Sequence, residues 1–377
     1  MSGAEPRFAF FLETEDQPID GGHSAWNRNL PGGRGCFAGG ERPGEEIPFT
    51  VGDYFQAARE FLASAGPTAA AESIRIHLAK HGPYYHPARV AARINGRWAQ
   101  FVLNVAASEA GQALIHREYA MLQRLSRSLA PSYLPAVYAI GEAALPGRPR
   151  VSMFIGEWLA GFYEFHLSRT SNTAETEMVV WDPENGSRPL DRGRARAVYS
   201  GAARILTHYF NLSTGECIGA WQHATGDFVV NPAGADPEVR LITVRDYRPL
   251  IRPAAAVGQN LPALMETLLV FCLDTMIRMR LDRLDGVGDI AWADPIAVEG
   301  GLEGFFSALS EKPEPAGVPL PLELLFRHYA LACGPDHLLE LCRGLLCRLL
   351  PGSGDPPVPS AVLEQHVDLM IASLAGR

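Results

Sequence analysis

The chain has 377 residues, 47% hydrophobic and 20% charged, with a formal net charge of −9. That length accommodates two or three domains or one large two-lobed unit, and the composition is that of a soluble globular protein. The acidic balance excludes the basic excess on which nucleic-acid binding rests, so no nucleic-acid partner is expected.

"FAFFL" (8–12) is too short for a secretory h-region and is followed by acids, so no leader is expected. Residues 13–46 are rich in Gly, Pro and charge, as in "LPGGRGCFAGGERPGEE", and lack periodicity. They read as a mobile or loosely draped N-terminal extension, partly disordered, ending near residue 47. "TVGDYFQAAREFLASA" (50–65) reads as a helix.

β-type sequence follows. "ESIRIHLAKHG" alternates Ile74, Ile76 and Leu78 with polar residues, and "ARVAARI" and "RWAQFVLNVA" flank "NGR". Asn95-Gly96 between two such runs predicts a hairpin, because both residues accept the positive φ of a type I′ turn. Residues 73–106 are therefore expected to form a small antiparallel sheet. A helix is predicted over 109–129, then strand-like stretches at 134–143 and 150–159. "VVWDPENGSRPLD" (179–191) reads as an exposed loop or small hairpin, on its turn residues Pro183, Asn185 and Gly186.

After residue 192 the pattern turns helical in "RARAVYSGAARILTHYFN". "DFVV" and "VRLITV", separated by "NPAGADPE", predict an internal hairpin spanning 227–246. The remainder, from Leu261, reads as helices broken by Gly/Pro segments such as 351–360. Its longest apolar run, 261–281, carries Glu266, Asp274, Arg278 and Arg280, charges that suit a core helix and not a membrane span. The fold class is thus α+β: an N-terminal lobe over 48–158 and a helical body over 159–377.

Chemistry-bearing types are few. Only two lysines occur, Lys80 and Lys312. The six cysteines form no CxxC pair, which fits neither a zinc site nor a disulfide framework and points to reduced thiols in a cytoplasmic protein. On the helix 109–129, Leu114, Met121, Leu122 and Leu125 make an apolar stripe, and Glu118 falls on it. A carboxylate facing a core is costly unless a cation or donors meet it. Glu118 therefore either reaches solvent at the stripe's edge or points inward to hold a cation.

The run "INGRWAQFVLNVAAS…HREYAMLQRL…LPAVYAIGEA…GRPRVSMFIGEWLAG" resembles the N-lobe of the protein-kinase-like superfamily, in its aminoglycoside phosphotransferase and choline kinase branch. The resemblance covers roughly residues 73–250 and lies in the order and spacing of motifs, none highly specific alone. It implies a two-lobed protein-kinase-like fold with a small antiparallel-sheet N-lobe and a mainly helical C-lobe. Glu118 matches the family's ion-pairing glutamate, and Glu157, Trp158 and Leu159 match the hinge whose backbone would hold an adenine. "GDFVV" (226–230) and "ITVRDY" (242–247) resemble the two metal-binding strands, which implies ATP and Mg as cofactors with Asp227 and Asp246 as metal ligands.

The departures are large. The family's catalytic Asp stands five residues before the metal-binding Asn; five before Asp227 is Gln222, with His223 beside it. Gln222 cannot accept a proton at neutral pH, whereas His223 is either a base near its ordinary pKa of about 6.5 or a structural imidazole beside Trp221. In an alternative alignment Asp227 is itself the catalytic Asp, and Asn231 follows at four residues. The basic residue of the third strand is replaced by Asn104, so its charge must come from Lys80 or an arginine such as Arg93, Arg245 or Arg248. No Gly-rich phosphate loop occurs; "KHGPYYHPA" (80–88) is either an aromatic cap or a surface turn.

Three functions fit these residues. One is a degenerate kinase fold, a pseudokinase, binding a nucleotide or other ligand and regulating a small-molecule or protein partner. The alternatives are an active Mg-dependent phosphotransferase acting on a small-molecule hydroxyl, and a non-catalytic scaffold. Loss of both the lysine and the base costs orders of magnitude in rate, because phosphoryl transfer rests on positioning and charge neutralisation.

Overall fold

The computed structural model describes residues 5–13, 15–31, 48–79, 81–82, 84–128, 132–169, 176–183, 185–221, 224–251, 257–286, 288–314, 320–349, 358 and 360–376. It divides into two compact units, Met1–Ala160 and Gly161–Arg377.

The first unit is built on a six-stranded sheet. Strands β1 (Arg7–Leu12), β2 (Ser73–Leu78), β3 (Ala88–Ile94), β4 (Arg97–Ala106), β5 (Val137–Ala143) and β6 (Val151–Glu157) lie in the order β1-β2-β3-β4-β6-β5. The alternation in β2 buries Ile74, Ile76 and Leu78 on one face, as period-2 patterning requires. Asn95 and Gly96 take φ of 51° and 76° and join β3 to β4.

Helix α1 (Val51–Leu62) packs Tyr54, Phe55 and Leu62 into the sheet core. Thr50 starts it through a capping box: its hydroxyl accepts from Asp53 N, and Asp53 accepts from Thr50 N at 2.8 Å. Helix α2 (Glu109–Leu125) follows β4, capped by Ser108.

Sequence periodicity misses β1, which pairs in parallel with β2 from Arg7↔Ser73 to Leu12↔Leu78. The described part of the expected extension is likewise built into this unit, with Ile19, Ala25 and Leu30 buried. Ile19 N donates to Phe10 O at 2.7 Å and Leu30 N to Phe49 O at 2.8 Å. Low periodicity conceals such a segment because turn bonds, such as Trp26 N to His23 O at 3.0 Å, and single bonds to residues outside it hold it in place of a regular element.

The second unit opens with a three-stranded sheet, β7 (Glu164–Arg169), β8 (Thr176–Trp181) and β9 (Arg188–Pro189). The hairpin alternative for 179–191 is thus the one that forms, but Val179 and Val180 are buried, not exposed. After helix α3 (Arg192–His208) come β10 (Glu216–Gly219), the single irregular turn α4 (Ala224–Asp227), β11 (Phe228–Asn231), β12 (Glu238–Leu241) and β13 (Asp246–Pro249).

The expected hairpin is shorter than 227–246. Its ladder runs from Phe228↔Leu241 to Asn231↔Glu238, while β13 crosses to pair with β10. Asp246 therefore sits opposite Gly219 on a separate ribbon. Helix α5 (Leu261–Arg280) is buried along most of its length. A ribbon unforeseen in the sequence follows, β14 (Leu281–Arg283) with β15 (Ile290–Trp292).

Helices α6 (Ile296–Ser310), α7 (Leu322–Leu349, kinked at Gly334-Pro335) and α8 (Ser360–Leu374) complete the unit. Helices α3 and α6 approach so closely that a Cβ on Gly304 would lie 1.9 Å from Ser200 O. No helix among the described residues is long and apolar enough to cross a membrane. The protein is thus an α+β chain with an antiparallel-rich sheet unit followed by a mainly helical one.

Candidate functional site

In the first unit, α2 turns Gly111, Ile115, Glu118, Leu122 and Leu125 inward, while Leu114 and Met121 lie half-buried at the border. The buried stripe is therefore rotated from the expected one, and Glu118 lies within it, 2% exposed. The solvent-edge alternative does not hold. The Tyr85 hydroxyl donates to Glu118 Oε2 at 2.7 Å, a charge-assisted bond from the loop between β2 and β3.

That loop also brings two imidazoles together. His81 and His86 share a hydrogen bond between their Nδ1 atoms at 2.9 Å, one ring donating and the other accepting. Burial, with His81 adjacent, pushes the His86 pKa down to about 4. Lys80 lies outside the described residues.

Asn104, half-buried on β4, sits opposite Phe154 of β6. Arg93, considered as its substitute, pairs instead with Glu72 at 3.5 Å on the sheet surface. At the end of β6, Glu157 is engaged by its own unit: its N–H donates to Ala136 O at 2.8 Å, and its Oε2 accepts from Ala136 N at 3.0 Å. Trp158 and Leu159 follow, each half-buried, with Trp158 O accepting from Ala160 N at 3.1 Å.

In the second unit, residues 219–221 and 224–227 include unusual backbone angles. Ala220 takes φ of 56° and Gly226 φ of 80°; the former is unfavourable for a residue with a Cβ. Trp221 is braced from the core helix. Arg278 is held by Asp274 at 2.7 Å and donates to Trp221 O, its guanidinium 5.2 Å from the centroid of the Trp221 ring. On β14, Asp282 accepts from the Thr225 hydroxyl and from Leu167 N, the latter at 2.7 Å.

Sequence reasoning missed Asp274, Arg278 and Asp282 as bracing residues. The signal was present, since charges in an apolar core helix need partners. Gln222 and His223 lie outside the described residues.

The two acids expected to bind metal are each met by an arginine. Arg245 Nη1 lies 2.7 Å from Asp227 Oδ1, with Asp227 only 4% exposed. The same nitrogen donates to Ala220 O at 3.3 Å. Arg248 Nε lies 2.5 Å from Asp246 Oδ2. Hard oxygen donors are what Mg²⁺ requires, but here guanidinium groups already occupy oxygens of both carboxylates. Among the described residues no group of three His, Cys, Asp or Glu side chains is placed to hold a metal. As arranged, an arginine competes with any metal ion for each of the two carboxylates.

Neither protein-family models nor curated proteins give a match to the chain. Among solved structures, WaaP in complex with acyl carrier protein is similar at 13% identity, over 69% of this chain and 85% of that chain, with a TM-score of 0.32. The Neurospora crassa PAN3 pseudokinase mutant is similar at 10% identity, over 78% of this chain and 59% of that one, with a TM-score of 0.27. Scores of this size do not fix a fold, and the architecture above stands on its own strand and helix order.

Proposed function

We propose that this chain is a divergent kinase-fold protein that binds a nucleotide or similar ligand, with ATP-dependent phosphotransferase activity weakened or lost. The Arg245–Asp227 ion pair supports this reading most directly. A guanidinium on the carboxylate supplies the positive charge that a metal would bring, but as a fixed hydrogen-bonding group rather than an exchangeable ion. Phosphoryl transfer in this superfamily depends on metal neutralisation of the phosphates, so such a protein retains binding more readily than turnover.

The absence of a lysine at Asn104 and the burial of Glu118 against Tyr85 agree with it. Buried free thiols at Cys217, Cys272 and Cys342 agree with a reducing, cytoplasmic compartment. The ligand partner is a nucleotide together with a small molecule or protein.

The runner-up is an active Mg-dependent phosphotransferase acting on a small-molecule hydroxyl, with His223 as the base. The bracing of Thr225 by Asp282 and of Trp221 by Arg278 favours it, because a spent loop needs no such support. The two readings separate in one experiment. Melting temperature is measured with ATP or ADP, each with Mg²⁺ or with EDTA, beside an assay of phosphate release. The expected result is nucleotide protection that is equal with and without Mg²⁺, and no turnover. Turnover abolished by Asp246→Ala would establish the enzyme instead, and indifference to every nucleotide would leave a non-catalytic scaffold.

A further inference from the structure

Where α5 ends, polar atoms of three side chains from three elements are buried without hydrogen-bond partners. Arg280 is 3% exposed; its Nε donates to Ala293 O at 2.9 Å, but its Nη1 has no hydrogen-bond partner. The guanidinium lies over the indole of Trp292 on β15, 4.9 Å from the ring centroid. Trp292 Nε1 is buried and equally unpartnered. His366, on α8 and wholly buried, meets the same indole edge-on at 5.8 Å, and neither of its ring nitrogens has a partner.

Native proteins pair nearly all buried polar groups, and a cluster of orphans at one place marks a missing occupant. Arg280 Nη1 and Trp292 Nε1 can only donate, so the occupant accepts at least twice. Charge narrows the choice. Among the described residues no carboxylate reaches Arg280 within ion-pair distance. Asp294, the nearby acid, is committed to Arg192 at 2.9 Å. Asp294 thus acts on Arg280 only at longer range; a buried cation with no carboxylate paired to it is costly, and water would satisfy the N–H groups without neutralising it.

We propose that the end of α5, β15 and α8 enclose a site for one small inorganic anion, a halide or an oxyanion. It accepts from Arg280 and Trp292, with His366 as a third donor. The site has a structural consequence that does not depend on the nucleotide reading. Trp292 pairs with Leu281, the residue after Arg280, and the next residue is Asp282, which holds Thr225. An anion here fixes the ribbon from which Thr225 is braced.

The test uses the full chain exchanged into a gluconate buffer, then titrated with chloride, bromide or phosphate at constant ionic strength, reading the melting temperature. The wild type is expected to show a saturable rise with at least one of these ions. Response to the halides alone identifies a halide site, and response to phosphate alone an oxyanion site. Trp292→Phe keeps the ring and removes one donor, and is expected to raise the half-saturating concentration about tenfold. Crystals soaked in bromide should show an anomalous peak beside Arg280 Nη1 where halide binds. No saturable response, an equal response in Trp292→Phe, or an ordered water only at that position would overturn the proposal.

Discussion

Arg245 places Nη1 2.7 Å from the carboxylate of Asp227, and the next residue, Asp246, takes Arg248 at 2.5 Å. Two acids that the family resemblance implies for one cation each pair with a separate arginine close to the β10–β13 ribbon. Arg245→Ala should lower stability by about 2–3 kcal/mol, because it strips the partner from a nearly buried carboxylate. The same substitution should create a Mg²⁺-dependent rise in melting temperature that the wild type lacks. Calorimetry of both proteins with Mg²⁺ and with EDTA checks this, and an equal metal response in the two would mean that the guanidinium does not compete with the ion.

Glu118 depends on Tyr85 in the same way. Tyr85→Phe leaves the buried carboxylate one donor short at 2.7 Å range and should cost about 1–3 kcal/mol. Adding Glu118→Gln to Tyr85→Phe should cost less than the sum of the two single changes, as expected for residues in contact. Urea titration of the three variants measures the coupling, and strict additivity would show that the hydrogen bond carries no stability.

The α3–α6 crossing sets a steric prediction. A Cβ at position 304 would lie 1.9 Å from Ser200 O and 2.7 Å from its carbonyl carbon, both backbone atoms of a packed helix. Gly304→Ala should therefore force the helices apart and cost about 3 kcal/mol. Gly344→Ala, on α7 with nothing within 4 Å of the new methyl, should instead stabilise by about 0.5–1 kcal/mol through helix propensity. Opposite signs from the same substitution in thermal melts are the outcome to look for.

Acid should weaken the first unit through His86. Its folded pKa of about 4 lies below the ordinary value near 6.5, so between these limits the unfolded chain binds more protons than the folded one. Stability is fully present above pH 6.5 and is lost as pH falls toward 4, by at most about 3 kcal/mol from this group. His86→Gln should flatten that slope in melts taken between pH 7 and pH 4. An unchanged slope would assign the acid sensitivity to other groups, among them His366, whose pKa burial also lowers, to about 3.

What the sequence alone determined is local. Alternation at Ile74, Ile76 and Leu78, the positive-φ pair Asn95-Gly96 and the helical spacing around Glu118 were legible, because each is set by neighbours within a turn or two. They sufficed for the α+β class and for putting Glu118 on the apolar stripe, while its burial in the structure chose between the solvent-edge and inward alternatives. Periodicity states which face of an element is buried but never against what. The parallel pairing of β1 with β2, the crossing of β13 to β10 and the buried cluster of Arg280, Trp292 and His366 join residues far apart in the chain. So did the choice of Arg245 as the partner of Asp227: an arginine carries its charge in any sequence, but only packing decides which carboxylate it neutralises.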